Sequence, residues 1–159
     1  MTPRPSISVF FPCYNDEQTI GRLVADAEAQ LRQLTDDYEI IVVNDGSSDG
    51  SAKVLARLHQ TVPHLRVVTH DKNRGYGGAL RSGFGHATKE LMFYTDGDGQ
   101  YDVGELPVLL SLLTEDTDFV NGMKMTRQDP AYRVFVGNLH RFVMRWTFWL
   151  PIKIGRAHV

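Results

Sequence analysis

Residues 39–50 read Glu39-Ile40-Ile41-Val42-Val43-Asn44-Asp45-Gly46-Ser47-Ser48-Asp49-Gly50, and this stretch decides the fold. Its first half is a short run of mostly branched apolar side chains, which predicts a strand over residues 39–43 that is buried on both faces, as in a parallel sheet. The polar, glycine-containing half predicts a loop at the carboxyl end of that strand. A helix predicted over residues 51–58 completes a strand–loop–helix unit.

The same alternation of apolar runs and amphipathic stretches continues on both sides of this unit. Further strands are predicted at residues 6–11, 65–69, 91–95 and 119–122, and further helices at 17–34, 80–86 and 103–113. Pro12 is expected to end the first strand. The first helix carries apolar residues at helical spacing, namely Ile20, Leu23, Val24, Ala27 and Leu31. Strands that alternate with helices predict an α/β domain with three layers and a mostly parallel central sheet.

Composition narrows the class of protein. A chain of 159 residues, 42% hydrophobic and 23% charged, has the size and balance of a globular domain. The net charge of −2 provides no basic field to recruit nucleic acid. Cys13 is the only cysteine, which excludes an internal disulfide and a multi-cysteine zinc site. The first residues do not resemble a signal peptide, and no apolar run reaches the roughly 20 residues that span a bilayer.

The last six residues, 154–159, look foreign to the domain. When these residues are back-translated, the resulting DNA sequence resembles a common sequencing adapter. We therefore expect one domain over residues 1–153, incomplete at its carboxyl end, followed by a non-native tail. A natural polar tail is the alternative.

Polar side chains recur where predicted strands end. Residues 14–17 follow the first strand, Asp45 follows the second, and Asp96 and Asp98 follow the fourth. A single aspartate in such a place is more often a turn former or a helix cap than a ligand. Several acids at one edge are harder to explain in that way, because ligands of open α/β sheets bind outside the carboxyl ends of the strands.

The segment Asp96-Gly97-Asp98 is the sharpest of these features. Two carboxylates separated by a glycine suit Mg²⁺ or Mn²⁺ beside a diphosphate, since such hard cations use one or two carboxylates plus phosphate oxygens. An ordinary Asp-Gly turn is the simpler reading of the tripeptide alone. Its position after a buried strand favours the site.

Four motifs follow the predicted strands in order: Pro12-Cys13-Tyr14-Asn15-Asp16-Glu17, Asn44-Asp45-Gly46-Ser47-Ser48-Asp49-Gly50-Ser51, Asn73-Arg74-Gly75-Tyr76-Gly77-Gly78-Ala79 and Asp96-Gly97-Asp98-Gly99-Gln100. Their order resembles family 2 glycosyltransferases of the GT-A fold, a Rossmann-like fold. Within the family the chain is most similar to dolichol- and undecaprenyl-phosphate sugar transferases. Residues 122–129 resemble the basic segment of that branch.

The resemblance implies roles for individual residues around a nucleotide-sugar donor, with UDP or GDP as the nucleotide. The nucleoside pocket would be lined by Pro12, Tyr14, Asn15 and Glu17, and the nucleotide bordered by Asn73, Gly75 and Gly78. Asp45 would accept a hydrogen bond from the base, which suits a ring N–H such as that of uracil or guanine because a carboxylate only accepts.

The remaining roles concern the diphosphate and the acceptor. Asp96 would face the ribose or the diphosphate, and Asp98 would hold the metal. Gln100 matches the D-x-D-x-Q form of the polyprenyl-phosphate branch. Lys124 and Arg127 would neutralise phosphates, although solvated surface charges explain them equally well.

The chain departs from the family pattern in two places. Asp16 is inserted where Asn-Glu is common, so the family's acidic role falls on either Asp16 or Glu17. Gly97 stands where alanine is frequent, and the change to glycine is expected to be tolerated.

The implied reaction is a metal-dependent, inverting transfer of a sugar to a polyprenyl phosphate. A lipid phosphate needs little base catalysis because its second pKa is about 6. A saccharide hydroxyl is the alternative acceptor, with Asp129 as the candidate base. Another alternative is a nucleotide-sugar-binding domain without turnover. A dehydrogenase would need a glycine fingerprint after the first strand, and a P-loop NTPase a terminal Lys-Ser/Thr; both are missing.

Residues 132–150 are rich in Trp, Phe and Arg. A helix of this composition suits a membrane interface, and a helix packed in a core is the alternative. We expect a protein at the cytoplasmic face of the membrane.

Overall fold

The structure of the protein, a computed structural model, describes residues 4–97, 102–114 and 116–122. Four strands and four α-helices form in these ranges. They are β1 (Ile7–Cys13), α1 (Ile20–Leu34), β2 (Tyr38–Asn44), α2 (Ser51–Thr61), β3 (Leu65–Thr69), α3 (Tyr76–His86), β4 (Leu91–Tyr94), a 3-10 turn (Val103–Glu105) and α4 (Leu106–Ser111). The chain divides into two compact units, Met1–Val108 and Leu109–Val159, and the first contains the whole sheet.

The described strands form one parallel sheet in the order β3-β2-β1-β4. The chain moves outward from β1 through β2 to β3, and then returns past β1 to add β4. Right-handed crossovers place the helices of opposite moves on opposite faces of a sheet, so α1 and α2 cover one face and α3 the other. The predicted three-layer α/β architecture with a parallel sheet is confirmed.

Both faces of the central strands are buried. The face under α3 has a core of Phe10, Ile41, Val43 and Ala79. On the opposite face α1 buries the five apolar residues that its sequence spacing predicts. Because successive strand residues point to opposite faces, a strand covered on both sides must be apolar throughout, as residues 40–43 are.

The prediction that Pro12 ends the first strand is wrong, because β1 continues to Cys13. Pairing with β2 runs the whole length of β1, but pairing with β4 stops at Phe10 opposite Tyr94. At Pro12 the only described neighbour of β1 is therefore β2. Because β4 does not pair there, the missing N–H of proline costs no hydrogen bond to β4.

Other predicted boundaries also moved. Helix α1 begins at Ile20 rather than at residue 17 because the backbone of residues 16–19 forms a turn that binds the 47–51 loop. Helix α3 begins at Tyr76, earlier than predicted. The glycines near its start have a low helix propensity, yet they belong to the helix. The helix predicted over residues 103–113 is divided into the 3-10 turn and α4. Residues 119–122 are not a strand, and Phe119 is 75% exposed.

A carboxylate ties together the amino ends of three strands. Glu39 Oε1 accepts hydrogen bonds from Ser8 Oγ at 2.7 Å and from the backbone N and Oγ1 of Thr88 at 2.7 and 2.8 Å. Burial alone would raise the pKa of Glu39, but these hydrogen bonds to the ionised form outweigh it and lower the pKa below its ordinary value.

We expect this cluster to make the fold sensitive to acid. A lowered pKa in the folded state means that the stabilisation is complete above the unfolded pKa of about 4.3 and is lost as the pH falls through the lower folded value. Glu39→Gln should therefore flatten the fall in unfolding free energy between about pH 5 and pH 3. Urea titrations at several pH values measure this slope, and an unchanged slope would contradict the assignment.

Among the described residues, no helix combines the length and apolarity needed to cross a membrane. The segments predicted at residues 132–150 and 154–159 lie outside the described residues, and so does the carboxyl end of the predicted domain 1–153. These three assignments stay predictions.

Candidate active site

A cleft of about 330 Å³ opens at the carboxyl ends of the strands. It lies where β1 neighbours β4, the point at which the chain reverses its direction across the sheet, and crevices at such switch points bind ligands in open α/β folds. The lining residues are Pro12, Cys13, Tyr14, Asp16, Asp45, Asn73, Gly75, Tyr76, Ala79, Asp96 and Gly97. The cleft thus brings together one part of each of the four sequence motifs.

Asp45 forms the deep acidic wall of the cleft and is only 3% exposed. Its Oδ1 accepts a hydrogen bond from His70 Nδ1 at 2.6 Å and another from the backbone N of Arg74 at 2.8 Å. Burial by itself would raise the pKa of Asp45, but the bonds from His70 and Arg74 outweigh it and hold the pKa below its ordinary value. The carboxylate is therefore ionised at neutral pH and acts only as an acceptor.

His70 is a site residue that sequence reasoning missed. It follows β3 directly, is 4% exposed, and its Nε2 lies 2.8 Å from Ser82 Oγ on α3. Both ring nitrogens therefore have partners inside the protein. The available signal was its position, since the last residue of each neighbouring strand is followed by a polar side chain that reaches the same edge.

Asp96 lies on the opposite side of the cleft, after β4. Its Oδ1 accepts a hydrogen bond from the hydroxyl of Tyr76 at 2.8 Å. Tyr76 belongs to the first turn of α3, so this bond links the glycine-rich segment to the acid that follows β4. Tyr14 and Tyr76 are both about half exposed along the cleft, which gives it two aromatic surfaces.

The structure separates the two acids left open in the first motif. Asp16 lines the cleft, and its Oδ2 accepts the backbone N–H of Tyr14 at 2.9 Å. Glu17 does not line the cleft, because its Oε2 accepts the backbone N–H of Gly50 at 2.6 Å. Asp16 is thus the acid of this motif in the cleft, while Glu17 holds the loop before α2.

Asn15 also binds that loop rather than the cleft. Its backbone has the left-handed conformation at φ 60°, which asparagine tolerates better than most residues. Its Oδ1 accepts the backbone N–H of Ser48 at 2.8 Å, and its own N–H donates to Ser47 Oγ at 3.1 Å. The proposed contact of Asn15 with a nucleoside would therefore be indirect, through the loop that carries Asp45.

Glycines let the loops around the cleft approach one another. A Cβ on Gly46, whose φ is +68°, would lie 2.6 Å from the backbone N of Asn73. Gly75 lines the cleft at φ +76°, whereas Gly78 faces the side chain of Arg74, 2.6 Å from where its Cβ would be. At Gly97 a Cβ would lie 2.3 Å from the carbonyl oxygen of Pro12. The backbone around residue 97 therefore accommodates glycine, where the family often has alanine, and leaves no room for a Cβ.

Cys13 lines the cleft but is chemically quiet. Burial raises the pKa of its thiol to about 11, so the nucleophilic thiolate is scarce at neutral pH.

Among the remaining predicted site residues, Pro12 and Asn73 line the cleft. Five others lie outside the described residues: Asp98, Gln100, Lys124, Arg127 and Asp129.

Known proteins resemble this chain in sequence. Residues 8–155 match the model of glycosyl transferase family 2. The undecaprenyl-phosphate 4-deoxy-4-formamido-L-arabinose transferase of Sodalis glossinidius is 35% identical over 128 residues, which are 80% of this chain and 39% of the relative. The transferase with the same name from Yersinia enterocolitica is 34% identical, also over 128 residues that are 80% of this chain and 39% of the relative. The chain therefore spans about two fifths of the length of these relatives.

Solved structures resemble it in fold. The mannosyltransferase PcManGT of Pyrobaculum calidifontis, in complex with GDP-Man and Mn²⁺, has a TM-score of 0.53 and 31% identity, covering 61% of this chain and 28% of that one. TarS 1-349 of S. aureus, in complex with UDP-GlcNAc, has a TM-score of 0.51 and 25% identity, covering 58% and 26%. The GT-A glycosyltransferase fold expected from the motifs is confirmed, and the chain belongs to glycosyl transferase family 2.

Proposed function

We propose that this chain carries the donor site of an enzyme that transfers a sugar, with inversion, from a nucleoside diphosphate to a polyprenyl phosphate. The observation that carries the proposal is the cleft at the β1–β4 switch point, where Asp45, Asp16 and Asp96 meet two half-exposed tyrosines. The polyprenyl-phosphate acceptor is supported by the two curated relatives, whose names specify undecaprenyl phosphate.

Each part of the cleft suits one part of a nucleotide sugar. The ionised Asp45, at the deep wall, is an acceptor for a ring N–H of uracil or guanine. Tyr14 offers an aromatic surface to the base. Asp96, on the far side and bound by the hydroxyl of Tyr76, would contact the ribose or the diphosphate. Lys124 and Arg127 are proposed to neutralise donor or acceptor phosphates.

A divalent cation, Mg²⁺ or Mn²⁺, is part of the proposal. The described residues contain no group of three or more acidic, histidine or cysteine side chains that could hold a metal. A cation bound largely through phosphate oxygens needs only one or two carboxylates, and Asp96, with Asp98 two residues later in the sequence, fits that requirement. When bound, the ion would stabilise negative charge on the leaving diphosphate.

The acceptor side decides between transfer to a lipid phosphate and transfer to a saccharide hydroxyl. A phosphate acceptor ionises near neutral pH and needs no strong base. A hydroxyl acceptor would require one, with Asp129 the candidate. We propose the phosphate, together with action at the cytoplasmic face of a membrane, where Gln100 and residues 132–150 would contribute.

Calorimetry of the chain with UDP- and GDP-sugars, with and without Mn²⁺, tests the donor site. We expect one of the two donors to bind at least about tenfold more tightly with Mn²⁺. Transfer of a radiolabelled sugar to a short polyprenyl phosphate, and not to a free saccharide, tests the acceptor. Donor binding without turnover would favour a binding domain, and binding of NAD without metal would exclude the transferase.

Replacing Asp98 with alanine tests the metal role separately. If Asp98 holds the cation, Asp98→Ala should abolish the Mn²⁺-dependent part of donor binding and leave the weaker metal-independent part. The matched control is Asp102→Ala, because Asp102 accepts the backbone N–H of Gly104 at 2.8 Å and caps the following 3-10 turn. Equal Mn²⁺ enhancement in Asp98→Ala and in the unmodified chain would refute the assignment.

A further inference from the structure

Asp45, which the proposed function uses to bind the base, is joined to two further polar side chains that the proposed function leaves unused. Ser82 on α3, His70 after β3 and Asp45 after β2 are joined by contacts of 2.8 Å and 2.6 Å. Because His70 and Asp45 are 4% and 3% exposed, water competes little for these bonds. A buried polar network of this kind is costly unless every member is satisfied.

The chemistry of the three groups sets the direction of the hydrogen bonds. The ionised Asp45 can only accept, so His70 Nδ1 carries a hydrogen. In a neutral imidazole ring Nε2 is then an acceptor, and it takes the hydroxyl hydrogen of Ser82. The ring is held at both ends, with one tautomer selected.

The backbone N–H of Gly75 also contributes to the lowered pKa of Asp45, but two of its donors share one oxygen. His70 Nδ1 and the backbone N of Arg74 each bind Oδ1, at 2.6 and 2.8 Å. Two donors on one oxygen hold the carboxylate plane in a single orientation. Since Asp45 also lines the cleft, that orientation determines how the carboxylate meets a ligand.

We infer that His70 is a positioning residue for nucleotide recognition: held by Ser82, it fixes the Asp45 carboxylate so that Oδ2 is presented to the ring N–H of the donor base. The inference rests on the proposed function, because it requires a nucleotide in the cleft. It assigns base selectivity to the whole chain of three residues rather than to Asp45 alone. Nucleotides whose base has a ring N–H, those of uracil and guanine, would be selected over those of cytosine and adenine.

Two amide variants of His70 separate positioning from packing. The side-chain nitrogen of asparagine corresponds to Nδ1 of histidine, so His70→Asn keeps a donor for Asp45. The nitrogen of glutamine corresponds to Nε2, so His70→Gln keeps a partner for Ser82 but withdraws the donor from Asp45. His59→Asn is the control, since His59 Nδ1 contacts the Leu65 carbonyl oxygen at the amino-terminal edge of the sheet.

The measurement is the ratio of the dissociation constants of UDP and CDP, and of GDP and ADP, by calorimetry on the full chain with Mn²⁺. We expect at least about tenfold selectivity for one N–H base in the unmodified chain and in His59→Asn. His70→Asn should keep it to within about threefold, and His70→Gln should lose at least about tenfold. Nitrogen-15 NMR of His70 should show a protonated Nδ1 whose resonance shifts when UDP or GDP binds.

The outcomes distinguish this inference from the proposed function. If no nucleoside diphosphate binds the unmodified chain, both fail. If selectivity is present but is the same in His70→Gln, only the inference fails. Should His70→Gln not fold, Ser82→Ala decides, since releasing Nε2 is expected to reduce selectivity by about threefold; unchanged selectivity there overturns the inference.

Discussion

Gly83→Ala is expected to destabilise the fold by about 1–2 kcal/mol, although alanine is the better helix former. Gly83 lies inside α3, where alanine alone would gain up to about 1 kcal/mol over glycine. A Cβ at this position, however, would lie 2.3 and 2.4 Å from Cδ2 and Cε2 of Phe10. The steric term is expected to exceed the propensity term because the ring of Phe10 is fully buried.

Two aromatic rings pack against Phe10 in the core. The side chain is fully buried in the central strand, with the ring of Tyr94 stacked at 5.2 Å and that of Phe84 edge-on at 5.1 Å. Protein interiors are packed closely enough that an added methyl group displaces its neighbours. Helix α3 would have to move away from the sheet.

Gly85→Ala is the matched control on the same helix. A Cβ there has no atom within 4 Å, so only helix propensity acts, and the variant should be stabilised by up to about 1 kcal/mol. Urea denaturation measures both variants. A second test is the double variant Phe10→Leu with Gly83→Ala, in which the smaller side chain should recover part of the loss. Equal stabilities for the two glycine variants would contradict the packing described here.

Asp45→Asn is expected to change nucleotide selectivity by about two orders of magnitude. Asparagine has the shape of aspartate but offers one oxygen and one NH₂ group. The donors His70 Nδ1 and Arg74 N both point at the Oδ1 position, so the oxygen of asparagine must take that place. The NH₂ group then faces the cleft as a donor.

A donor in the cleft repels a base N–H and attracts a base acceptor. We therefore expect UDP and GDP to bind the variant more weakly, and CDP and ADP, whose bases present a ring nitrogen acceptor, to bind relatively better. Calorimetry of the four nucleotides with both proteins gives the ratios. The cost in folding should be small, about 1 kcal/mol, because the internal donors keep an acceptor.

The control for Asp45→Asn is Asp37→Asn, at the far edge of the sheet, where Asp37 pairs with Lys89. Selectivity in that variant should not change. If Asp45→Asn weakens all four nucleotides equally, Asp45 stabilises the cleft without reading the base, and the proposed base contact is wrong. Unchanged affinities would remove Asp45 from the site altogether.

The sequence predicts the parallel sheet, the helices and the acids at strand ends, because these are local properties. An apolar run such as residues 40–43 can be buried only between two helical layers, and the spacing of residues along α1 identifies its buried face without any tertiary information. The motifs after β1, β2 and β4 were also assigned to the correct edge, since all parallel strands present their carboxyl ends there.

The sequence alone could not predict contacts between segments far apart in the chain. Asp16 and Glu17 are adjacent acids, and only the position of Gly50 shows that Glu17 is engaged by the loop while Asp16 faces the cleft. His70 resembles any histidine after a strand until Ser82 and Asp45 are found on its two nitrogens.

What the sequence by itself determined is therefore the type of fold and the edge of the sheet that carries the site. The tertiary structure alone decided which residues at that edge face the cleft, and which glycines lack room for a side chain. Helical spacing puts Gly83 and Gly85 on different faces, but only the packed structure shows that one lies 2.3 Å from the ring of Phe10 and the other faces open space. Periodicity records the faces of an element, whereas distances of a few ångströms between elements depend on how all of them pack.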